Sequence, residues 1–227
     1  MIRTLVILGS CGTSREVWWV VQETCPDTRI VFMDDVSELR EIAFPGETVP
    51  VIKDWDFSGV RRSVANGQAD AFTQFVCGMG SSAIKKIAVE KALAAGLKPA
   101  PTFISADARV RPNVTVGVGG VIHNDVVLTT NITMGDFVSI HMSRAGHDVV
   151  MEDYVTLNPG CHIGGHVRLC EGVHLGACTV VQPRITIAPW VRTGINTAVV
   201  RSVETPGAVL VGVPAREVQP HSGAGHP

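Results

Sequence analysis

The feature that most restricts this chain is a six-residue period running through its second half. Steps of six from residue 104 fall on Ile104, Val110, Val116, Ile122, Leu128, Met134 and Ile140. Steps from residue 151 fall on Met151, Leu157, Ile163, Leu169, Leu175, Val181, Ile187, Thr193 and Val199. Fifteen of these 16 places are aliphatic, a regularity that neither the 3.6-residue helix nor the two-residue strand produces. The fifth place of the hexads is small or apolar as well, with Arg144 the one exception, from Ala108, Val114, Gly120 and Val126 through Cys161, Val167 and Val173 to Val203. Two inward registers per hexad specify a parallel β-helix, in which three short faces make one coil of about 18 residues and each coil covers its neighbour's edge. About five such coils are expected after residue 104. The low aromatic content, 5%, with 23 glycines, suits so narrow an aliphatic core.

The frame slips once. Ile140 to Met151 is 11 residues where two hexads need 12, and the stretch between them contains Arg144-Ala145-Gly146-His147-Asp148. Counted from Ile104, Arg144 falls in an inward fifth place, which a guanidinium cannot occupy. Regular repeats break where something other than packing is required, so His147 is read as a functional residue rather than a turn residue.

The first hundred residues follow a different pattern. Thr4 to Leu8 reads as a buried strand ending in Gly9-Ser10-Cys11-Gly12, followed by a helix from about Ser14 to Thr24 and a second strand, Arg29 to Met33, closing on Asp34-Asp35. Ala71 to Cys77 is a further strand before Gly78-Met79-Gly80, and Ser82 to Ala95 is a helix stopped by Gly96. This order predicts a small parallel α/β domain with its ligand site at the carboxyl ends of the strands. Pro99-Ala100-Pro101 marks the boundary, giving a first domain over 1–100, a β-helix over 101–217 and a tail over 218–227.

Several classes of function drop out. The formal charge of -2 leaves no basic excess for a nucleic-acid backbone. The longest apolar runs, such as Val17-Trp18-Trp19-Val20-Val21, are far shorter than the ~20 residues of a membrane span. No signal-peptide pattern precedes them, so a cytoplasmic location is expected. Six cysteines without a CxxC pair read as reduced thiols.

The hexads, Ala145-Gly146-His147-Asp148 followed by Val149-Val150-Met151-Glu152-Asp153, Asn158-Pro159-Gly160 and the ending Val211-Gly212-Val213-Pro214-Ala215 resemble the left-handed β-helix acyltransferases. Gly9, Gly12, Asp34, Asp35 and Gly78 before a basic helix resemble the nucleotide-sugar N-acetyltransferase and sialic acid O-acetyltransferase branch. The resemblance implies an α/β N-terminal Rossmann-like domain holding a nucleotide sugar, followed by a left-handed parallel β-helix of hexapeptide repeats that binds acetyl-CoA as a homotrimer. The usual Gly-Gly/His character is replaced here by Cys11-Gly12-Thr13, and the second histidine that some relatives carry nine residues after the base is Thr156.

Acetyl transfer needs an acceptor that loses a proton while attacking a thioester, which an imidazole accepts at neutral pH. His147 is that candidate, with Asp148 to orient it and Glu152 in reserve. One coil further on lies Gly165, inside Gly164-Gly165, whose amide the resemblance assigns to the oxyanion. Gly176, Gly194 and Gly212 are spaced by 18 and 18 and are expected to stack as a bare strip for coenzyme A. Arg192, Arg201 and Arg216 are candidates for its phosphates. Gly9, Gly12, Asp34, Asp35, Gly78 and Thr156 are the expected substrate-binding residues, with Ser81, Ser82 and Lys85 as a second phosphate or sugar site. His123, His141, His162 and His174 take outward places and are read as solvent-facing, and His166 as lining a cleft between subunits.

No metal is expected, because the three-histidine spacing of a γ-class carbonic anhydrase is absent. The sequence therefore predicts an acetyltransferase acting on a nucleotide-linked amino sugar, with acetyl-CoA as cosubstrate. The alternatives are an O-acetyltransferase of a free sugar or amino acid, and a non-catalytic sugar-nucleotide-binding scaffold. A trimer is expected because outward Val118, Thr130, Met142 and Trp190 leave apolar area on the prism faces.

Overall fold

The computed structural model describes residues 4–55 and 73–219. The first part is a six-stranded sheet in the order β3-β4-β2-β1-β5-β6, with β1 Thr4–Leu8, β2 Arg29–Met33, β3 Glu41–Phe44, β4 Glu47–Ile52, β5 Thr73–Cys77 and β6 Lys98–Pro99. All neighbouring strands are parallel except the β3-β4 hairpin. Helix α1 spans Gly12–Thr24 and α2 spans Ser82–Ala94. β1 and β2 lie where the residues predicted them. The β3-β4 hairpin is an addition, and Ala71 lies outside the described residues. The described residues hold only these two helices, so they do not support the Rossmann-like domain expected over 1–100.

From Phe103 onward the hexads close into a parallel β-solenoid, consistent with the left-handed hexad fold. Strands of two or three residues stack into three sheets. The aliphatic places line its interior as one continuous cluster that includes Ile122, Leu128, Met134, Ile140, Met151, Leu157, Ile163 and Leu169. Most corners are turned by a residue in the left-handed region, among them Asn113, Asp125, Asp148 and His166. Thr193, the one non-aliphatic place, is buried. Its hydroxyl accepts the Gly176 N–H at 2.8 Å and bonds the Thr179 hydroxyl at 2.8 Å.

The frame slip lies earlier than a reading around His147 suggests. Ile140 is followed by Ser143, buried in the inward place, and by Ala145, which pairs with Leu128 and Ile163. The missing residue is therefore taken from the corner at Met142, whose φ is 34°. Arg144 is exposed and points outward, which removes the conflict of a guanidinium in the core. His147 sits in the following full-length hexad.

The two parts pack tightly. Trp18 and Val21 of α1 join a cluster with Phe103 and Val121, and Phe75 stacks on Phe137 with ring centroids 5.9 Å apart. Fully buried Lys85 of α2 reaches across: its Nζ donates to Phe137 O at 3.0 Å, Ser139 Oγ at 2.9 Å and Thr156 Oγ1 at 2.9 Å. Loss of solvation pushes its ammonium down to about 8.

This docking corrects several sequence expectations. Lys85 and Ser82 do not form an open phosphate site, since both are buried. Thr156 is fully buried, its hydroxyl bonded to Lys85 and to Ser82 Oγ at 3.1 Å, so it does not reach a substrate. His123 and His141, outward with respect to the prism, are 4% and 5% exposed, and His141 lies against Glu16 of α1. His174 is half-buried, beside Asn158. Trp190 packs its ring over Gly172 and toward Tyr154 rather than standing free.

Candidate active site

His147 follows the strand Arg144–Ala145 and immediately precedes a solenoid corner. The corner residue is Asp148, φ 60°, in a conformation that Asp tolerates better than most side chains. The turn folds the carboxylate back onto the preceding ring, and His147 Nδ1 lies 2.6 Å from Asp148 Oδ2. Asn131, one coil earlier, donates to Asp148 Oδ1. The Asn131 carboxamide and the His147 ring together hold the Asp148 carboxyl below the usual carboxylate range. An ionised carboxylate only accepts hydrogen bonds, so Nδ1 is the protonated nitrogen and Nε2 carries the free lone pair.

The ring lies against Gly165 of the next coil. A Cβ added there would stand 2.7 Å from His147 Cε1 and 2.8 Å from Nε2, so a glycine is needed for the ring to take this place. The Gly164 N–H donates to Val181 O and the His166 N–H to His147 O, whereas the Gly165 N–H between them donates to no protein acceptor among the described residues. A fixed, unoccupied backbone donor beside a basic ring nitrogen suits developing negative charge. Glu152 is engaged elsewhere, by Arg168 and by the Glu171 N–H at 2.9 Å. Among the described residues, Asp148 is the one that hydrogen-bonds the His147 ring.

His166, read from the sequence as lining a cleft between subunits, stands instead beside His147 and Asp148. His166, also at a corner, places Nε2 3.5 Å from the same Asp148 oxygen and its ring edge-on to His147 at 5.1 Å. The only signal for it was a histidine where corners usually carry Asn, Asp or Gly. His147, Asp148 and His166 together form a group able to hold a metal ion.

The expected glycine strip is shorter than its spacing implies. A Cβ on Gly176 would meet Thr193 O at 2.5 Å and Gly194 C at 2.7 Å, so these two coils touch through bare backbone. Thr179 and Thr197 brace the strip from inside by donating to Gly176 O and Gly194 O. Gly212 is out of line. The last coil holds 17 residues, Thr193 pairing with Leu210, so Val211 faces Gly194. Gly212 instead accepts from the Ala198 N–H at 3.0 Å. Arg192, Arg201 and Arg216 are exposed, and Arg216 donates to Ala215 O.

In the first part, the sheet order reverses between β1 and β5, since β2 lies on one side of β1 and β5 on the other. Gly9, Asp34 and Gly78 stand at the carboxyl ends of β1, β2 and β5, the place where open α/β sheets form a crevice. A Cβ on Gly78 would meet Ser14 Cα at 2.6 Å, so this glycine lets α1 approach the sheet. Gly12 faces open space at the first turn of α1, where no side chain caps the helix. Burial works to raise Asp34, but hydrogen bonds from Ser10, Ser37 and Val36 outweigh it and leave its carboxyl below the usual range. Asp34 thereby pins its own loop, with Ser10 Oγ at 2.5 Å. Asp35 is more open and receives Trp55 Nε1 at 2.6 Å and Lys91 Nζ at 3.1 Å.

The acetyltransferase domain of PglB from Neisseria gonorrhoeae FA1090, in complex with acetyl coenzyme A, superimposes with a TM-score of 0.80 over 96% of this chain and 100% of that one, at 24% identity. A histidine-to-asparagine mutant of perosamine N-acetyltransferase from Caulobacter crescentus, in complex with CoA and GDP-perosamine, gives 0.80 over 97% and 99%, also at 24% identity. WeeI from Acinetobacter baumannii AYE gives 0.81 over 95% and 100%, at 23%. This chain shares their fold. No protein-family model matches the chain, and no curated protein matches its sequence.

Proposed function

We propose that this protein is an acetyltransferase that moves the acetyl group of acetyl-CoA to the amine of a nucleotide-linked sugar. The observation that carries the reading is the oriented His147: Nδ1 held by an ionised Asp148, Nε2 free, and the ring seated on a glycine whose N–H has no partner. Nε2 accepts the proton that the amine releases as its nitrogen attacks the thioester carbon. The Gly165 N–H receives the oxyanion, and the thiolate of coenzyme A departs as the intermediate collapses. Shared fold with structures that hold acetyl coenzyme A, or CoA with GDP-perosamine, supports both substrates.

In this reading the pantetheine arm lies along Gly176 and Gly194, with Arg216 near its phosphates. Gly9, Gly12, Asp34, Asp35 and Gly78 border the nucleotide crevice, where the uncapped start of α1 favours phosphate. The first domain, 1–100, holds the nucleotide, and the working form is a cytoplasmic homotrimer with clefts between solenoids. A sedimentation measurement giving a monomer would defeat the trimer.

The test of the chemistry is thiol release from acetyl-CoA across a panel of nucleotide amino sugars. Turnover by the wild-type chain should fall roughly 10²–10⁴-fold in His147→Ala, with acetyl-CoA affinity little changed. A variant keeping half its activity removes His147 from the mechanism. Thiol release with serine or a free sugar alone would move the acceptor class, and nucleotide-sugar binding with no thiol release by the wild type would leave only a scaffold.

A further inference from the structure

The covered histidines between α1 and the first coils are not among the residues assigned to acetyl transfer. His123 and His141 occupy the same place in successive coils, their rings stacked with centroids 4.1 Å apart and planes inclined by 20°. Glu16, on the solenoid side of α1, puts Oε2 3.7 Å from His141 Nδ1. His123 is 4% exposed, and its Nε2 is buried without a hydrogen-bond partner. A buried imidazole nitrogen left without a partner is costly unless something occupies its lone pair or takes its proton. The donor atoms of Glu16, His123 and His141 lie within 4.8 Å of one another. They border a groove of about 490 Å³ that Glu23 and Asp107 also line.

We propose that Glu16, His123 and His141 form a binding site for a zinc-type divalent cation that ties helix α1 to the solenoid. This departs from the sequence expectation of no metal and is independent of the acetyltransferase reading. Two imidazoles and one carboxylate are a borderline-soft nitrogen and oxygen donor set of the kind zinc takes, and the groove leaves a fourth position for water. Burial of both rings favours the neutral imidazole, the ligating form. Tetrahedral zinc with bonds of about 2.0 Å holds its ligand atoms about 3.3 Å apart. Closure from 4.8 Å requires the largely exposed Glu16 to swing inward and the two stacked rings to fan toward the ion.

The test is a calorimetric titration of the full chain with zinc chloride, in a background of His147→Asn and His166→Asn that removes the other group able to hold an ion. One ion should bind per chain and raise Tm, and cobalt in its place should give tetrahedral absorption bands. Adding Glu16→Ala should weaken binding by roughly tenfold or more, and adding His123→Gln should abolish it. Glu16→Ala removes an exposed side chain and keeps the test valid if His123→Gln does not fold. No binding at micromolar zinc, or binding unchanged in Glu16→Ala, overturns the site.

Discussion

Gly165→Ala separates geometry from folding at the candidate site. The backbone there is not in the left-handed region, so alanine brings no conformational strain. Its Cβ would lie 2.7 Å from His147 Cε1 and 2.8 Å from Nε2, against an ordinary contact of 3.4 Å or more. One of the two groups must yield by roughly 0.7 Å, and the ring is free to do so because the His147 side chain is 57% exposed. Folding should therefore be nearly unaffected, within about 1 kcal/mol, since a surface ring that swings aside leaves no cavity. Catalysis should suffer far more. A displacement approaching 1 Å between a base and its substrate costs on the order of 10²-fold in rate. The measurements are kcat by thiol release, the urea midpoint and the affinity for acetyl-CoA. A kcat within twofold of wild type, with the midpoint unchanged, would refute the claim that Gly165 exists to seat the ring.

Asp148→Asn should lower kcat by roughly 10²-fold or more, because a carboxamide no longer fixes the proton on Nδ1; an unchanged pH profile and rate would remove Asp148 as orienter. Asp35→Ala should raise KM for the nucleotide sugar with kcat and acetyl-CoA affinity held, as expected of a contact felt equally in ground and transition states. Unchanged KM would return Asp35 to its structural pair with Lys91. Buried Lys85 has a folded pKa of about 8, below its unfolded value of 10.5, so the unfolded chain binds more protons between the two. Stability to urea should then rise with pH through that window, by an amount on the order of 3 kcal/mol, and Lys85→Met should flatten the rise. His123 and His141 act with the same sign lower down: with a chelator present, stability should be complete above pH 6.5 and lost as pH falls toward 4.

What the sequence determined by itself was whatever repeats or is local. A six-residue aliphatic period encodes a solenoid because each side chain's direction follows from the same backbone geometry, coil after coil, and needs no distant contact. For the same reason β1, β2 and α1 were legible from runs of a few residues, and the placing of Asp148 and Gly165 against His147 followed from adjacency and from one coil's spacing. The tertiary structure decided what covers the outward faces. A period tells in from out within the prism, but nothing in it says that α1 and α2 dock on the first coils, which buries His123, His141 and Thr156 and draws Lys85 away from any ligand. Counting by 18 likewise assumed an unbroken frame. Ser143 takes the inward place in a hexad one residue short, and Val211 takes the place foreseen for Gly212 in a coil of 17. Such slips are absorbed at corners, where backbone hydrogen bonding between coils, not residue type, chooses which residue is skipped.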